Sequence, residues 1–238
     1  GWWPLEYPIL SSSAFHPGEY TPDASGHGRT GSYAENSSSF KPVRSTTHYP
    51  CLYVQNASST FGTDDATGVN IGAASLWNGI IGTDQTASNS PKMTISARIR
   101  KTGNGGGDWG RIIDLGQKDI SLYTSTQNRV YFSVRWKSGD GSAGRVIWKT
   151  GTDVFENNLW HHVLVTYDTA RPMIHDHSGS GDWFLDETQG SKPRIYVNGS
   201  EKTVTLDTGK PTGSFFGIVN QNCVIGNTAQ RNSHWAGQ

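Results

Sequence analysis

Two Asp-Trp pairs, Asp108-Trp109 and Asp182-Trp183, are the side chains in this sequence best suited to holding a ligand. An indole ring is an apolar platform for the C–H face of a sugar, and a neighbouring carboxylate accepts hydrogen bonds from its hydroxyls. His177 lies close to the second pair and adds a polar contact. His175 and His177, with Asp182 and Asp186, could instead bind zinc or a similar ion, since imidazole and carboxylate suit it. The further spaced ligands of a zinc motif are missing, and a solvated acidic loop accounts for the same residues more simply. Asp23, followed by Gly26-His27-Gly28, points to different chemistry. Calcium takes about six to eight oxygens, and a glycine-rich turn can aim backbone carbonyls at it. An Asx turn, with Asp23 bonding its own backbone, is the competing explanation.

Catalytic arrangements are not found. A glycosidase needs two carboxylates roughly 5–5.5 Å or 6.5–9.5 Å apart. No strand-like segment carries alternating acids, and Asp182, Asp186 and Glu187 fall in a polar loop. A nucleophile elbow, a zinc-protease His-Glu-x-x-His and a phosphate-binding loop are absent as well. The expectation is a protein that is not an enzyme.

The elements that must position these residues are strands. Met93, Ile95, Ala97 and Ile99 alternate with polar residues, as do Val130, Phe132, Val134 and Trp136. Such a period of two marks a strand with one buried face. Shorter candidates cover 51–55, 68–71, 111–115, 120–123, 145–149, 203–206 and 222–225. Glycine, Asn, Asp and Ser clusters separate them. Residues 73–81 form the one weak helical candidate, a single turn. Three segments lie outside this scheme: a polar surface loop over 11–50, a glycine-rich hairpin tip over 101–110, and an insertion over 169–193. Long loops on a rigid scaffold are where function concentrates. Trp136 and Trp160 are expected in the core, whereas Trp109, Trp183 and Trp235 are expected in loops.

The chain has 238 residues, with 20 basic and 20 acidic side chains, so it carries no formal net charge and no nucleic-acid footprint. Its low charge and abundant neutral polar groups suit neutral ligands such as sugars. No stretch approaches the roughly 18–20 apolar residues of a membrane span. The two cysteines, Cys51 and Cys223, fall in strand-like segments. A disulfide in an oxidising compartment and two buried thiols both remain open.

The run Asn157-Asn158-Leu159-Trp160-His161-His162-Val163-Leu164-Val165-Thr166-Tyr167-Asp168, followed by Arg194-Ile195-Tyr196-Val197-Asn198-Gly199, resembles the central strand pair of laminin-G-like (concanavalin-A-like) modules. The Asn-Gly ending is a strong hairpin signal in its own right. Gly1-Trp2-Trp3-Pro4-Leu5-Glu6 and Asp23-Ala24-Ser25-Gly26-His27-Gly28 resemble the family's opening strand and first turn. The resemblance covers nearly the whole chain. It implies a single all-β domain over 1–238, an antiparallel two-sheet jelly-roll sandwich. It also implies a structural role for His161 and His162, and one structural calcium ion at Asp23 and Gly28, although His27 stands where the family has Asn. The family usually adds one further strand after Cys223-Val224-Ile225-Gly226-Asn227. With neither an initiating Met nor a signal peptide, the sequence reads as an excerpt, completed by residues beyond it or by another chain.

Two functions fit these expectations. One is a non-catalytic carbohydrate-binding or adhesion module of an extracellular or virion-surface protein, recognising a glycan or cell-surface polysaccharide. The other is a structural or decoration domain of a phage capsid, tail fibre or cell-surface assembly, packed against neighbouring subunits. The expected ligand site is the edge formed by 101–110 and 169–193, with Asp108, Trp109, His177, Asp182 and Trp183. A site on a flat sheet face would need rings on neighbouring strands. Tyr131 is one, but the alternating segment 93–99 offers Thr, Ser and Arg.

Overall fold

The computed structural model describes residues 20–21, 31–34, 43–44, 52–53, 68–77, 92–137, 143–168, 173–175, 183–185, 192–209, 214–218, 222–227 and 235–236. Eighteen strands are described: β1 (Tyr20–Thr21), β2 (Gly31–Ala34), β3 (Val43–Arg44), β4 (Leu52–Tyr53), β5 (Gly68–Ala73), β6 (Lys92–Arg100), β7 (Trp109–Leu115), β8 (Ile120–Ser125) and β9 (Val130–Lys137), then β10 (Ala143–Thr150), β11 (Trp160–Asp168), β12 (Met173–His175), β13 (Trp183–Leu185), β14 (Arg194–Val197), β15 (Ser200–Lys202), β16 (Val204–Thr208), β17 (Ser214–Phe215) and β18 (Asn222–Ile225). The described helical pieces are two 3-10 turns, Ala74–Leu76 and Gly106–Asp108. The first is the single turn expected over 73–81. Among the described residues no helix is long and apolar enough to cross a membrane.

The chain is an all-β sandwich of two antiparallel sheets. The larger has ten strands in the order β1-β2-β5-β18-β7-β8-β9-β10-β16, with β17 also paired to β9. The smaller has the order β15-β14-β11-β6. Alternation explains how they meet. Val69, Ile71, Leu122, Phe132, Val134, Val146 and Trp148 point inward from the large sheet, and Ile99, Val163, Val165, Ile195 and Val197 from the small one. Tyr167 closes the gap, its ring 5.5 Å from Phe132 and 5.4 Å from Trp148.

The Asn-Gly hairpin forms as expected. Asn198 and Gly199 have φ of 52° and 79°, both in the left-handed region that a tight β-turn needs, and β14 and β15 pair across them. Elsewhere the structure departs from the sequence reading. Within 11–50, β2 pairs with β5 and so joins the large sheet instead of forming a loop. Residues 101–110 connect the small sheet to the large one and do not cap a hairpin. Trp160 is half-buried on the outer face of the small sheet, with the Arg98 guanidinium 5.3 Å from its ring. The parity of Val163, Val165 and Tyr167 requires this, and it turns His161 inward. Trp235 lies outside the strands, as expected, but its ring is buried. A Cβ at Gly110 would meet its ring at 2.9 Å. The backbone carbonyl of Ala236 accepts hydrogen bonds from Thr102 N (2.9 Å) and Gly103 N (3.3 Å), which fixes this segment beside the end of β6.

Candidate functional site

The outer faces of the two sheets differ. On the small sheet, Lys92, Thr94, Ser96 and Arg98 stand in solvent, as expected for a polar outer face. On the large sheet six outward side chains of β7, β8 and β9 are polar or aromatic and nevertheless buried: Arg111, Asp114, Ser121, Tyr123, Tyr131 and Ser133. Burying polar groups away from water is unfavourable unless they find partners, so this face identifies the candidate site.

A β-bulge builds it. The register between β7 and β8 shifts between Arg111 and Ile113, so Arg111 lies opposite Tyr123 while Asp114 lies opposite Ser121. In an unbroken strand, residues three apart face opposite ways; the bulge puts Arg111 and Asp114 on one face. Trp109, the first residue of β7, is 40% exposed and meets two rings edge-on, Tyr123 at 5.6 Å and Tyr131 at 5.2 Å. Tyr123 and Tyr131 pair across β8 and β9 and stack at 5.1 Å with their planes 13° apart. The Arg111 guanidinium lies over the other side of Tyr123, 3.9 Å from the ring centre. The result is a continuous row of a cation and three rings across three strands.

The polar half of the face centres on Asp114. Its Oδ1 accepts a hydrogen bond from Lys118 N at 2.8 Å, and its Oδ2 accepts one from Ser121 Oγ at 3.0 Å. Arg111 Nε lies 3.9 Å from the same Oδ2, beyond hydrogen-bond range. The turn that supplies Lys118 N is unusual, since Gly116, Gln117 and Lys118 all have positive φ. Gly116 is required there: a Cβ would lie 2.4 Å from Ile218 Cγ2. Arg145 donates from Nη2 to Ser133 Oγ at 2.9 Å, and Arg135 donates to Asp119 Oδ1 at 3.0 Å.

Charge is unevenly shared. Burial pushes the Asp114 carboxyl upward, opposed by the Lys118 amide, the Arg111 charge and the Ser121 hydroxyl. Burial also pushes Arg111 down from its ordinary value; Tyr123 and Asp114 oppose that shift, and the charge of Arg145 adds to it. Lys118 is lowered by burial and by repulsion from Arg111 and Arg145. Among the described residues, Arg111, Lys118 and Arg145 therefore all interact with the Asp114 carboxylate, in a chain whose overall charge balances.

The residues expected to form a ligand site are placed as follows. Asp108 ends the 3-10 turn, exposed, with φ of 66°. Trp109 belongs to the sheet-face ring cluster. Trp183 opens β13, which pairs with β12 so that His175 stands opposite Trp183, and the insertion thus contains a two-stranded ribbon. His177, Asp182, Asp23 and Gly28 lie outside the described residues, and so do Cys51 and the segment 1–6. Among the described residues no three His, Cys, Asp or Glu side chains group as a metal centre. His161 is buried and bonded at both nitrogens: Nδ1 to Asn198 Nδ2 (3.0 Å) and Nε2 to the Glu156 carbonyl (3.0 Å). Sequence reasoning overlooked Arg111, Tyr123, Asp114 and Arg145. The available signal was the set of polar and aromatic side chains opposite the apolar positions of 120–123 and 145–149.

A scan against models of protein families finds no match for this chain, and a comparison with curated proteins finds none either.

Proposed function

We propose that the chain is a non-catalytic carbohydrate-binding module of laminin-G-like, concanavalin-A-like type, carried by an extracellular or virion-surface protein. The observation that supports this reading is the row of Trp109, Tyr123 and Tyr131 beside Arg111 on one sheet face. Rings next to charged donors and acceptors are the usual equipment for gripping a sugar ring by its C–H face and its hydroxyls together. The test is a glycan array followed by calorimetry on the chain, with and without calcium. Calcium is included because Asp23 and Gly28 are candidate ligands. In this reading Trp109→Ala weakens glycan binding at least about tenfold, or about 1.4 kcal/mol, with little change in melting temperature. Silence across the array would sink the idea.

A second reading is supported by the burial of Tyr123 and Tyr131, which leaves Trp109 as the most open of the three rings. Here the chain is a structural or decoration domain of a surface assembly, and Trp109 packs against a neighbouring subunit. In that case the chain self-associates, and Trp109→Ala shifts its oligomeric state in sedimentation experiments while no glycan binds.

A further inference from the structure

We propose an oxyanion-binding site on the outer face of the large sheet, in which Arg111 and Arg145, flanked by Lys118, take a carboxylate, sulfate or phosphate group. The first support is unmet hydrogen bonding. Arg111 is only 4% exposed, yet its Nε and Nη1 find no hydrogen-bond acceptor, and Nε of Arg145 finds none. Buried guanidinium N–H groups are normally matched, because leaving them without acceptors forfeits their hydration for nothing.

The second support is charge. Among the described residues Asp114 is the carboxylate that interacts with Arg111, Lys118 and Arg145, and both of its oxygens already accept hydrogen bonds, from Lys118 N and Ser121 Oγ. Asp119 is drawn to Arg135 on the neighbouring strand. An incoming oxyanion would relieve the repulsion between the two guanidiniums and accept from their free N–H groups. Guanidinium is the side-chain cation that best matches a planar or tetrahedral oxyanion, since it presents several donors in fixed directions. Ser133 Oγ, held by Arg145 Nη2, gives one more hydroxyl at the same place.

The shared chemistry leaves two sources, a free oxyanion or an anionic substituent on a saccharide. The second rests on the carbohydrate reading; the first does not. The experiment uses the full chain and measures melting temperature and calorimetric affinity for sodium sulfate, for an oligogalacturonate and for a neutral oligosaccharide of equal length. Sodium chloride at matched ionic strength is the reference. Sulfate and oligogalacturonate are expected to stabilise the chain beyond chloride. Arg145→Gln and Arg111→Met should each weaken that binding at least about tenfold. Arg194→Gln, on the exposed face of the small sheet and paired with Glu201, should leave it unchanged. Sulfate binding without any saccharide binding supports the site and counts against the carbohydrate reading. Saccharide binding that is equal for neutral and acidic forms, and unaltered in Arg145→Gln, overturns the site and leaves the carbohydrate reading standing. No response to sulfate or oligogalacturonate beyond chloride overturns it too.

Discussion

The guanidinium of Arg111 stacks on Tyr123 at 3.9 Å from the ring centre, and this contact links the charged half of the large-sheet face to its aromatic half. Stacking contributes on the order of 1–2 kcal/mol in a desolvated setting. Beside this contact, Arg111 Nε and Nη1 remain buried without a hydrogen-bond acceptor.

Replacing each partner should therefore give opposite results. Arg111→Met removes a buried charge with unmet donors and keeps much of the volume, so stability should stay within about 1 kcal/mol of wild type or rise. Tyr123→Ala empties a buried ring site and should lose roughly 3 kcal/mol. Urea unfolding of both variants decides the matter. A loss of 3 kcal/mol or more for Arg111→Met would show that its donors are already satisfied.

Cys223 gives a chemical prediction. It is a fully buried free thiol whose pKa burial pushes up to about 12. Alkylation proceeds through the thiolate and requires access. Iodoacetamide at pH 8 should leave Cys223 unmodified in the folded chain and modify it promptly in urea, as read by peptide mass. Equal rates in both states would show that β18 opens readily between β5 and β7.

How much was legible in the sequence depended on whether a feature was local. The strands with strict alternation, such as β6, β9 and β11, and the Asn198-Gly199 turn follow from neighbours two residues apart. Trp160 was misplaced although its own strand contained the answer, because the parity of Val163 and Val165 already turned it outward. The ring and charge cluster was hidden for a different reason. Arg111 and Asp114 share a face only through the bulge at Ile112, and nothing in the spacing announces a bulge. The case against a sheet-face site also relied on β6 as Tyr131's neighbour, but β6 belongs to the other sheet, and Tyr131 lies opposite Tyr123 of β8. The insertion of β18 between β5 and β7 is a long-range pairing that no local pattern encodes.

Asn198 joins the two segments that dominate the sequence reading. Its Nδ2 meets His161 Nδ1 at 3.0 Å, its Oδ1 accepts from His162 N at 2.9 Å, and its own N donates to the His162 carbonyl at 2.8 Å. With φ of 52°, it also occupies a backbone region that Asn tolerates better than Ala. Asn198→Ala should lose about 2–3 kcal/mol, combining two hydrogen bonds and backbone strain. Asn198→Gly removes the side-chain bonds but not the permissive backbone, and should recover about 1 kcal/mol of that loss. Thermal unfolding of the pair separates the two contributions; full recovery with Gly would mean that the side-chain bonds contribute nothing.

Lys101 sets a pH dependence whose sign can be worked out. It is fully buried, with Nζ donating to the Ser125 carbonyl at 2.6 Å and to Asn128 Oδ1 at 2.9 Å, and 5.8 Å from the Phe155 ring. Burial lowers its pKa from 10.5 to about 8, with the Asp108 charge opposing the shift. Below pH 8 the amine is protonated whether the chain is folded or not, so it adds no slope. Between about pH 8 and 10.5 the unfolded chain holds more protons at this site than the folded one, and stability must rise with pH. Above that window both states are neutral and the contribution is constant. Cys223 acts in the opposite direction from pH 9 upward, since its folded thiol keeps a proton that the unfolded one loses. The informative quantity is therefore the difference between wild type and Lys101→Met, measured by urea unfolding from pH 7 to 10. That difference should shift steadily in favour of wild type as pH rises through 8 and 9. A difference that stays flat across the range would mean that Lys101 remains charged in the folded protein, held by acceptors strong enough to offset its burial.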